Sequence, residues 1–179
     1  MSRLDPILAK LARAQTEFFR AANSIPTEQW NTKPSKDAWS AAELVAHLVI
    51  VERAVLGGAD RITQKMPRAV PIFKRWHLPL WLVESRIIRR KSPLPLDGCL
   101  LRNKEEMLAE LRGARERSLA FLDETRKRDL SGYYLSHAFL GMLNVYQWFD
   151  MLASHELRHT KQMCEIAEHL PKVVEIAQE

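Results

Sequence analysis

Apolar residues recur at spacings of three and four in four stretches of the chain, which is the pattern of amphipathic helices. These stretches span residues 4–24, 40–58, 103–122 and 144–170. Their remaining positions are mostly polar, and we find no convincing strand pattern of alternating apolar and polar residues. Four long amphipathic helices predict an all-α fold of the four-helix bundle type.

Local sequence signals predict where these helices begin and end. Ser40 and Glu43 have the spacing of a capping box, in which each side chain bonds to the backbone N–H of the other residue. Asn103 is a suitable cap for the third helix. The glycine pair at 57–58 predicts the end of the second helix, or a bend in it. Pro171 predicts the end of the fourth helix.

Residues 59–102 break this regular pattern. They contain five prolines, and positions 60–91 hold nine lysine and arginine residues against two acidic residues. These positions therefore carry a net charge of +7, whereas the whole chain has a formal net charge of +5. The basic character of the chain thus comes from this segment. We interpret 59–102 as an insertion or lid between the second and third helices, with a short helix from about Pro79 to Lys91.

The basic segment is compatible with three roles. A solvated surface is the usual role of such charge, and the apolar run WHLPLWL near basic residues also suits a membrane-surface patch. Binding of an acidic partner, or of the carboxylates of a thiol cofactor, is the third interpretation. Nucleic-acid binding is not expected, because the chain carries no recognised nucleic-acid-binding motif.

Length and composition are ordinary for a globular protein. The 179 residues are 46% hydrophobic and 27% charged, which predicts one domain over residues 1–179. We expect no signal peptide and no membrane span, because no apolar run has the required length and position. Cys99 and Cys164 lack metal-site spacing and are expected to be reduced thiols in a cytoplasmic protein.

Three histidines stand on the predicted inward stripes. His155 and His159 lie one turn apart on the fourth helix, and His47 lies on the stripe of the second. A single histidine at such a position is more often a core residue, but burying several imidazoles is costly unless they are hydrogen-bonded or coordinated. Together they predict a three-nitrogen divalent metal site with positions open to water or substrate, as in catalytic metal sites.

Other polar residues near this face have weaker signals. Gln162 shares the ligand face and is a candidate to orient a ligand, although a polar residue at a bundle end is an equal alternative. His137 is a candidate to reach over the site from its loop, with an exposed position equally compatible. Glu156 and Arg158 are each one position away from a ligand, which favours surface salt bridges.

Several sequence pieces occur in an order that resembles a known superfamily. They are residues 39–48 (WSAAELVAHL), the pair His137 and Gly141, the dipeptide at 147–148 (QW), and residues 154–162 (SHELRHTKQ). The chain resembles the DinB-like superfamily of bacterial metal-binding four-helix proteins. The resemblance implies a divalent metal, most often zinc or nickel. It places the metal on three histidines, which are His47, His155 and His159.

The resemblance also implies a class of chemistry. Characterised members of the superfamily include thiol S-transferases and isomerases that use bacillithiol, mycothiol or glutathione. We therefore expect a metal-dependent enzyme, a thiol S-transferase or a hydrolase, with a small-molecule substrate and a low-molecular-weight thiol co-substrate. Some members are dimers, so a homodimer is also an expectation. The alternative is a non-catalytic metal-binding or interaction protein. The insertion at 59–102 departs from a minimal member and bears on the choice of substrate.

A zinc-peptidase interpretation uses the same residues. Positions 155–159 (HELRH) match HExxH, in which Glu156 would be the general base. The extended motif needs glycine and histidine at positions where this chain has Gln162 and Glu165. No sheet is predicted beside the helix, so we favour this interpretation less. The downstream candidates for a third ligand would be Glu175 and Glu179.

Overall fold

The computed structural model describes residues 3–67, 70–71, 79, 81–84 and 102–171, and all structural statements below concern these residues. Four long helices and one small sheet confirm the predicted all-α bundle. The helices are α1 (Leu4–Asn23), α2 (Ala41–Thr63), the short α3 (Trp81–Glu84), α4 (Lys104–Glu124) and α5 (Val145–His169). The strands are β1 (Tyr134–His137) and β2 (Gly141–Asn144), and a 3₁₀ turn spans Thr27–Gln29.

The predicted helix caps are present. The hydroxyl of Ser40 accepts from the backbone N–H of Glu43, and the carboxylate of Glu43 accepts from that of Ser40. The side chain of Asn103 accepts a 2.8 Å hydrogen bond from the backbone of Glu106. A second capping box, between Asn144 and Gln147, begins α5. Each cap satisfies N–H groups that have no partner within the helix, so the start of α2, α4 and α5 is well defined.

The end of the second helix was predicted too early. Helix α2 continues through Gly57 and Gly58 to Thr63. Gly58 is buried against the hairpin, where an added Cβ would lie 3.3 Å from Cδ1 of Leu135. The glycine therefore serves a close approach between α2 and β1 instead of ending the helix.

The insertion is correspondingly shorter than predicted, because residues 59–63 belong to α2. Of the helix predicted from Pro79 to Lys91, only Trp81–Glu84 is helical within the described residues. Helix α3 packs against α5, and Lys161 donates a hydrogen bond to the carbonyl of Glu84. Most of the predicted basic cluster, together with Cys99, lies outside the described residues.

The loop expected before the last helix contains a β-hairpin. Strands β1 and β2 are antiparallel, with Leu135 opposite Leu143 and His137 opposite Gly141. Gly141 has a φ of 94°, a conformation that glycine adopts without steric cost. The prediction that strands are absent was wrong, because each strand has only four residues and Leu143 alone is fully buried in β2. Such short strands cannot show a clear alternation.

The helices bury two apolar clusters separated by a polar layer. Helix α1 packs mainly along α5, and α2 packs mainly along α4. One cluster joins the hairpin to the start of α1 and α5, and the other joins the start of α2 and α4 to the end of α5. Glu52, Arg115 and His159 are buried in the layer where α2, α4 and α5 pass from one cluster to the other. No described helix is long and apolar enough to cross a membrane.

Candidate metal centre

The three predicted ligands meet between α2 and α5. His47 lies in the second turn of α2, and His155 and His159 lie one turn apart on α5. The Nε2 atom of His155 is 3.2 Å from Nε2 of His47 and 3.1 Å from Nε2 of His159. One potential ligand atom from each ring lies within 4.8 Å of the other two. The structure therefore brings together the three histidines that the sequence singles out.

These separations suit a common metal ion. Zinc–nitrogen bonds of about 2.0–2.1 Å place two ligand nitrogens about 3.3–3.4 Å apart in a tetrahedral site. In an octahedral site, neighbouring nitrogens at the same bond lengths lie about 2.8–3.0 Å apart. The observed separations of 3.2 and 3.1 Å fall between these values. The three side chains could thus hold one divalent ion with little rearrangement.

Gln162 fixes which nitrogen of His159 faces the centre. Its side-chain oxygen lies 3.0 Å from Nδ1 of His159. Because a carbonyl oxygen only accepts hydrogen bonds, Nδ1 carries the proton of the neutral ring. The Nε2 atom of His159 then presents a lone pair toward His155. Gln162 therefore lies where a residue that orients a ligand is expected.

One ring proton is shared by both contacts of Nε2 of His155. With Nε2 of His159 unprotonated, its contact with His155 is a hydrogen bond only if Nε2 of His155 carries a proton. That single proton also faces Nε2 of His47. The Nδ1 atom of His155 is buried and has no hydrogen-bond partner. A metal cation at the centre would bind the lone pairs of all three Nε2 atoms. A single ring proton at the centre cannot do so.

The environment keeps the rings of His47 and His155 neutral. Burial lowers the pKa of His47 from 6.5 to about 4. Burial also lowers the pKa of His155 well below its usual value, and the nearby His159 and His47 add to this effect. His47 and His155 are therefore neutral at neutral pH, so each ring has one unprotonated nitrogen, as metal ligation requires.

Trp39 forms a wall beside the histidines. It immediately precedes the cap of α2, and its ring centre lies 5.1 Å from that of His47. Its ring is nearly parallel to that of His159, with an interplanar angle of 10° and a centroid distance of 6.4 Å. Trp39 is therefore positioned to limit the access of water from this side.

His137 stands apart from the three-histidine cluster. Its Nδ1 atom accepts hydrogen bonds from the backbone N–H groups of Phe139 and Leu140, each 3.1 Å long. Its ring lies 5.1 Å from that of Trp148. His137 is close enough for its charge to lower the pKa of His155, but its hydrogen bonds hold the hairpin turn. Its predicted role over the site stays a prediction.

Glu156 is not at the surface, so its prediction as a surface salt bridge was wrong. It is 2% exposed, and its carboxylate accepts a 3.0 Å hydrogen bond from Arg115. Burial raises the pKa of Glu156 to about 7, while Arg115 acts in the opposite direction. The carboxylate that would be the base of a peptidase is therefore engaged by a guanidinium, and Glu175 and Glu179 lie outside the described residues.

Two buried charged residues were missed in the sequence. Glu52 and Arg115 are each 2% exposed and form an ion pair with N–O distances of 2.7 and 2.8 Å. Both occupy positions on inward stripes, Glu52 four residues after Leu48 and Arg115 four residues after Leu111. A charged residue at such a position was the signal that could have identified them.

The fold and the histidine cluster define a helical bundle with a candidate metal site, and sequence comparison gives the family. The sequence profile of the DinB superfamily matches residues 10–163, and the chain belongs to this superfamily. A relative, the uncharacterized protein YuaE of Bacillus subtilis (strain 168), is 28% identical over 160 residues. The match covers 89% of this chain and 96% of YuaE, so the two proteins are similar over nearly their whole lengths.

Proposed function

We propose that the protein binds one divalent metal ion through His47, His155 and His159 and uses it in catalysis. The observation that supports this proposal is the convergence of three histidines from two helices, each with a ring nitrogen within 4.8 Å of those of the other two. Three protein ligands leave coordination positions for water or substrate, which is typical of catalytic sites. When bound, the metal supplies Lewis acidity that lowers the pKa of a water or thiol ligand.

The side chains around the site have separate tasks in this proposal. Gln162 holds His159 in the tautomer that directs Nε2 to the metal. Burial keeps His47 neutral at physiological pH, because its pKa is lowered to about 4. Trp39 covers the rings of His47 and His159 and excludes water from one side. The low local dielectric strengthens interactions with charge that develops during the reaction.

The proposed reaction is attack of a low-molecular-weight thiolate on a small electrophile, in which a carbon–sulfur bond forms, the bond to the leaving group breaks and the thiol proton passes to solvent. Hydrolysis is the variant in which water replaces the thiol. Imidazole ligands suit zinc and nickel, which are the metals we favour. The thiolate is the reactive form of a thiol, so a lowered thiol pKa would raise its reactivity at neutral pH. Membership of the DinB superfamily supports this class of site.

The first test is the metal content of untagged protein by elemental mass spectrometry, before and after reconstitution with zinc or nickel. We expect about one metal ion per chain. His169→Ala is the control, because His169 is an exposed histidine of α5, the helix that carries His155 and His159, and its ring bonds to the carbonyl of Glu165. This variant should keep its metal, whereas His47→Ala should lose it. Absence of metal after reconstitution would refute the proposal.

The second test is turnover of the metal-loaded protein with bacillithiol, mycothiol or glutathione and an electrophile such as an alkyl halide. Loss of the thiol should depend on the metal and on His155. Hydrolysis of an activated ester without thiol would favour the hydrolase variant. One bound metal ion with no turnover in either assay would instead indicate a non-catalytic metal-binding protein.

A further inference from the structure

Three charged side chains from three helices meet inside the bundle. Arg115 of α4 donates from Nε and Nη2 to the carboxylate of Glu52 on α2, at 2.7 and 2.8 Å. Its Nη2 atom also donates to Glu156 of α5 at 3.0 Å, and Nη1 donates to the carbonyl of Leu11 on α1 at 3.0 Å. One guanidinium therefore connects all four long helices.

Stability alone does not account for this arrangement. Arg115, Glu52 and Glu156 are each only 2% exposed, so all three polar side chains have lost their hydration. Buried ion pairs recover little more than this loss, and well-packed apolar residues often stabilise a core equally well. Hydrogen bonds to a planar guanidinium are directional, however, and fix both the rotation and the height of the helices that they join. This cluster is therefore suited to setting geometry.

The same two helices carry the candidate metal ligands. Glu52 follows His47 by five residues on α2. Glu156 directly follows His155 and precedes His159 by three residues on α5. Yet α2 packs mainly along α4, and α5 packs mainly along α1. Helices α2 and α5 contact each other less extensively, and the residue of α4 that bonds to both adds a directional link between them.

We infer that Arg115 is a positioning residue of the metal centre. By holding Glu52 and Glu156 together, it sets the spacing and rotation of α2 relative to α5. This in turn sets the 3.2 Å separation between Nε2 of His47 and Nε2 of His155. The inference rests on the proposed metal site. It extends that proposal to a residue that is not itself a ligand. Arg115 sets the geometry of the three histidines, and this geometry determines which metal the site prefers.

Arg115→Lys tests this role while keeping the charge. A lysine ammonium cannot replace the planar fork that bonds to both oxygens of Glu52 and to Glu156. Cobalt(II) is a suitable probe, because its visible absorption bands report on the geometry of its ligands. We expect Arg115→Lys to bind cobalt(II) at least about tenfold more weakly, with shifted bands and a changed preference between cobalt and zinc.

Leu122→Ala is the matched control. It removes a fully buried side chain from the same helix, and Leu122 belongs to an apolar cluster that excludes the ion triad. This variant should lower the melting temperature and leave the cobalt affinity and bands unchanged. If Arg115→Lys does not fold, the variant Glu52→Gln/Arg115→Met/Glu156→Gln replaces it, because it buries no unpaired charge. The triple variant should be folded and still show weaker binding and shifted bands.

The outcomes separate this inference from the proposed function. If the unaltered protein does not bind cobalt(II), the proposed metal site fails, and the inference fails with it. If the unaltered protein binds cobalt(II) and a folded Arg115→Lys or triple variant shows the same affinity and bands, only the positioning role of Arg115 is refuted. Weaker cobalt(II) binding with shifted bands in Arg115→Lys or the triple variant, and no such change in Leu122→Ala, would support the positioning role of Arg115.

Discussion

The side-chain oxygen of Gln162 lies 3.0 Å from Nδ1 of His159, one turn along the same helix. This single hydrogen bond decides that the lone pair of His159 is on Nε2, the atom that faces His155. The relationship is notable because Gln162 is only half-buried and could have been a solvated residue at the end of a bundle. Its contact with His159 makes it part of the candidate metal centre.

Gln162→Leu should weaken metal binding about 10- to 100-fold, because Nδ1 of His159 loses the acceptor that selects its tautomer. Gln162→Glu retains an acceptor oxygen at the same reach, so its metal affinity should stay near that of the unaltered protein or rise. Isothermal titration with zinc would measure both affinities. Equal losses in the two variants would contradict the role assigned to the hydrogen bond.

The three histidines should be individually necessary for stabilisation by metal. A ligand that binds only the folded state stabilises it by about 2.7 kcal/mol at a free concentration 100 times its dissociation constant. Zinc should therefore raise the melting temperature of the unaltered protein and of His169→Ala. It should raise that of His47→Ala, His155→Ala and His159→Ala little or not at all. Thermal unfolding with zinc or with a chelator is the measurement, and a full zinc shift in His47→Ala would exclude a site shared between α2 and α5.

The positions of these histidines could be predicted because helical periodicity alone places them on inward faces. His155 and His159 share one face of a single helix by spacing, and His47 lies on the stripe Leu44, Leu48, Val51. Sequence spacing cannot establish that α2 and α5 are close enough for the rings to meet. The separation of 3.2 Å between His47 and His155 emerges only when the helices are packed.

Other features depended on contacts that no local pattern encodes. The glycines at 57–58 signal a helix end by propensity, but the packing of Gly58 against Leu135 overrides that preference. Arg115 is one charged residue among several on its helix, and its burial makes sense only once Glu52 and Glu156 face it from two other helices. Local propensity therefore indicates the helices, whereas the polar layer inside the bundle is a product of tertiary structure.

The contribution of His47 to the stability of the metal-free protein should fall as the pH falls below neutral. Burial lowers the pKa of His47 from 6.5 to about 4 in the folded state. Between these values the unfolded chain binds a proton at this ring and the folded chain does not, so protonation favours unfolding. The lowered pKa of His155 acts in the same direction, whereas the raised pKa of Glu156 acts in the opposite direction. For His47 alone, the free energy of unfolding would fall by about 3 kcal/mol between pH 6.5 and 4.

Urea unfolding of chelator-treated protein at several pH values between 7 and 4 measures this effect. His47→Ala removes one destabilising proton uptake on unfolding, so this variant should lose less stability, or gain more, than the unaltered protein as the pH falls over this range. His169→Ala, which changes an exposed ring, should follow the unaltered protein. An identical pH dependence in His47→Ala would show that its ring is protonated in the folded state near its usual pKa.

Binding of a paramagnetic metal should be visible in the fluorescence of Trp39. Its ring centre lies 5.1 Å from that of His47 and 6.4 Å from that of His159, so a cobalt(II) or nickel(II) ion held by these rings would quench it strongly. Trp39→Phe should remove the largest part of the metal-dependent quenching. Trp30 provides the comparison, because its indole is buried against Met107 in the second apolar cluster. Quenching that survives unchanged in Trp39→Phe would place the metal elsewhere.

The buried ion triad should respond very differently to partial and to complete removal. Arg115→Met leaves the carboxylates of Glu52 and Glu156 buried without their cation, and breaking a buried pair in this way costs about 3–5 kcal/mol. Adding Glu52→Gln and Glu156→Gln removes the unpaired charges, so the triple variant should recover most of that loss. Urea unfolding in the presence of a chelator separates this effect from metal binding. If the triple variant were as unstable as Arg115→Met, the loss would come from the packing of Arg115 and its bond to Leu11, not from unpaired charge.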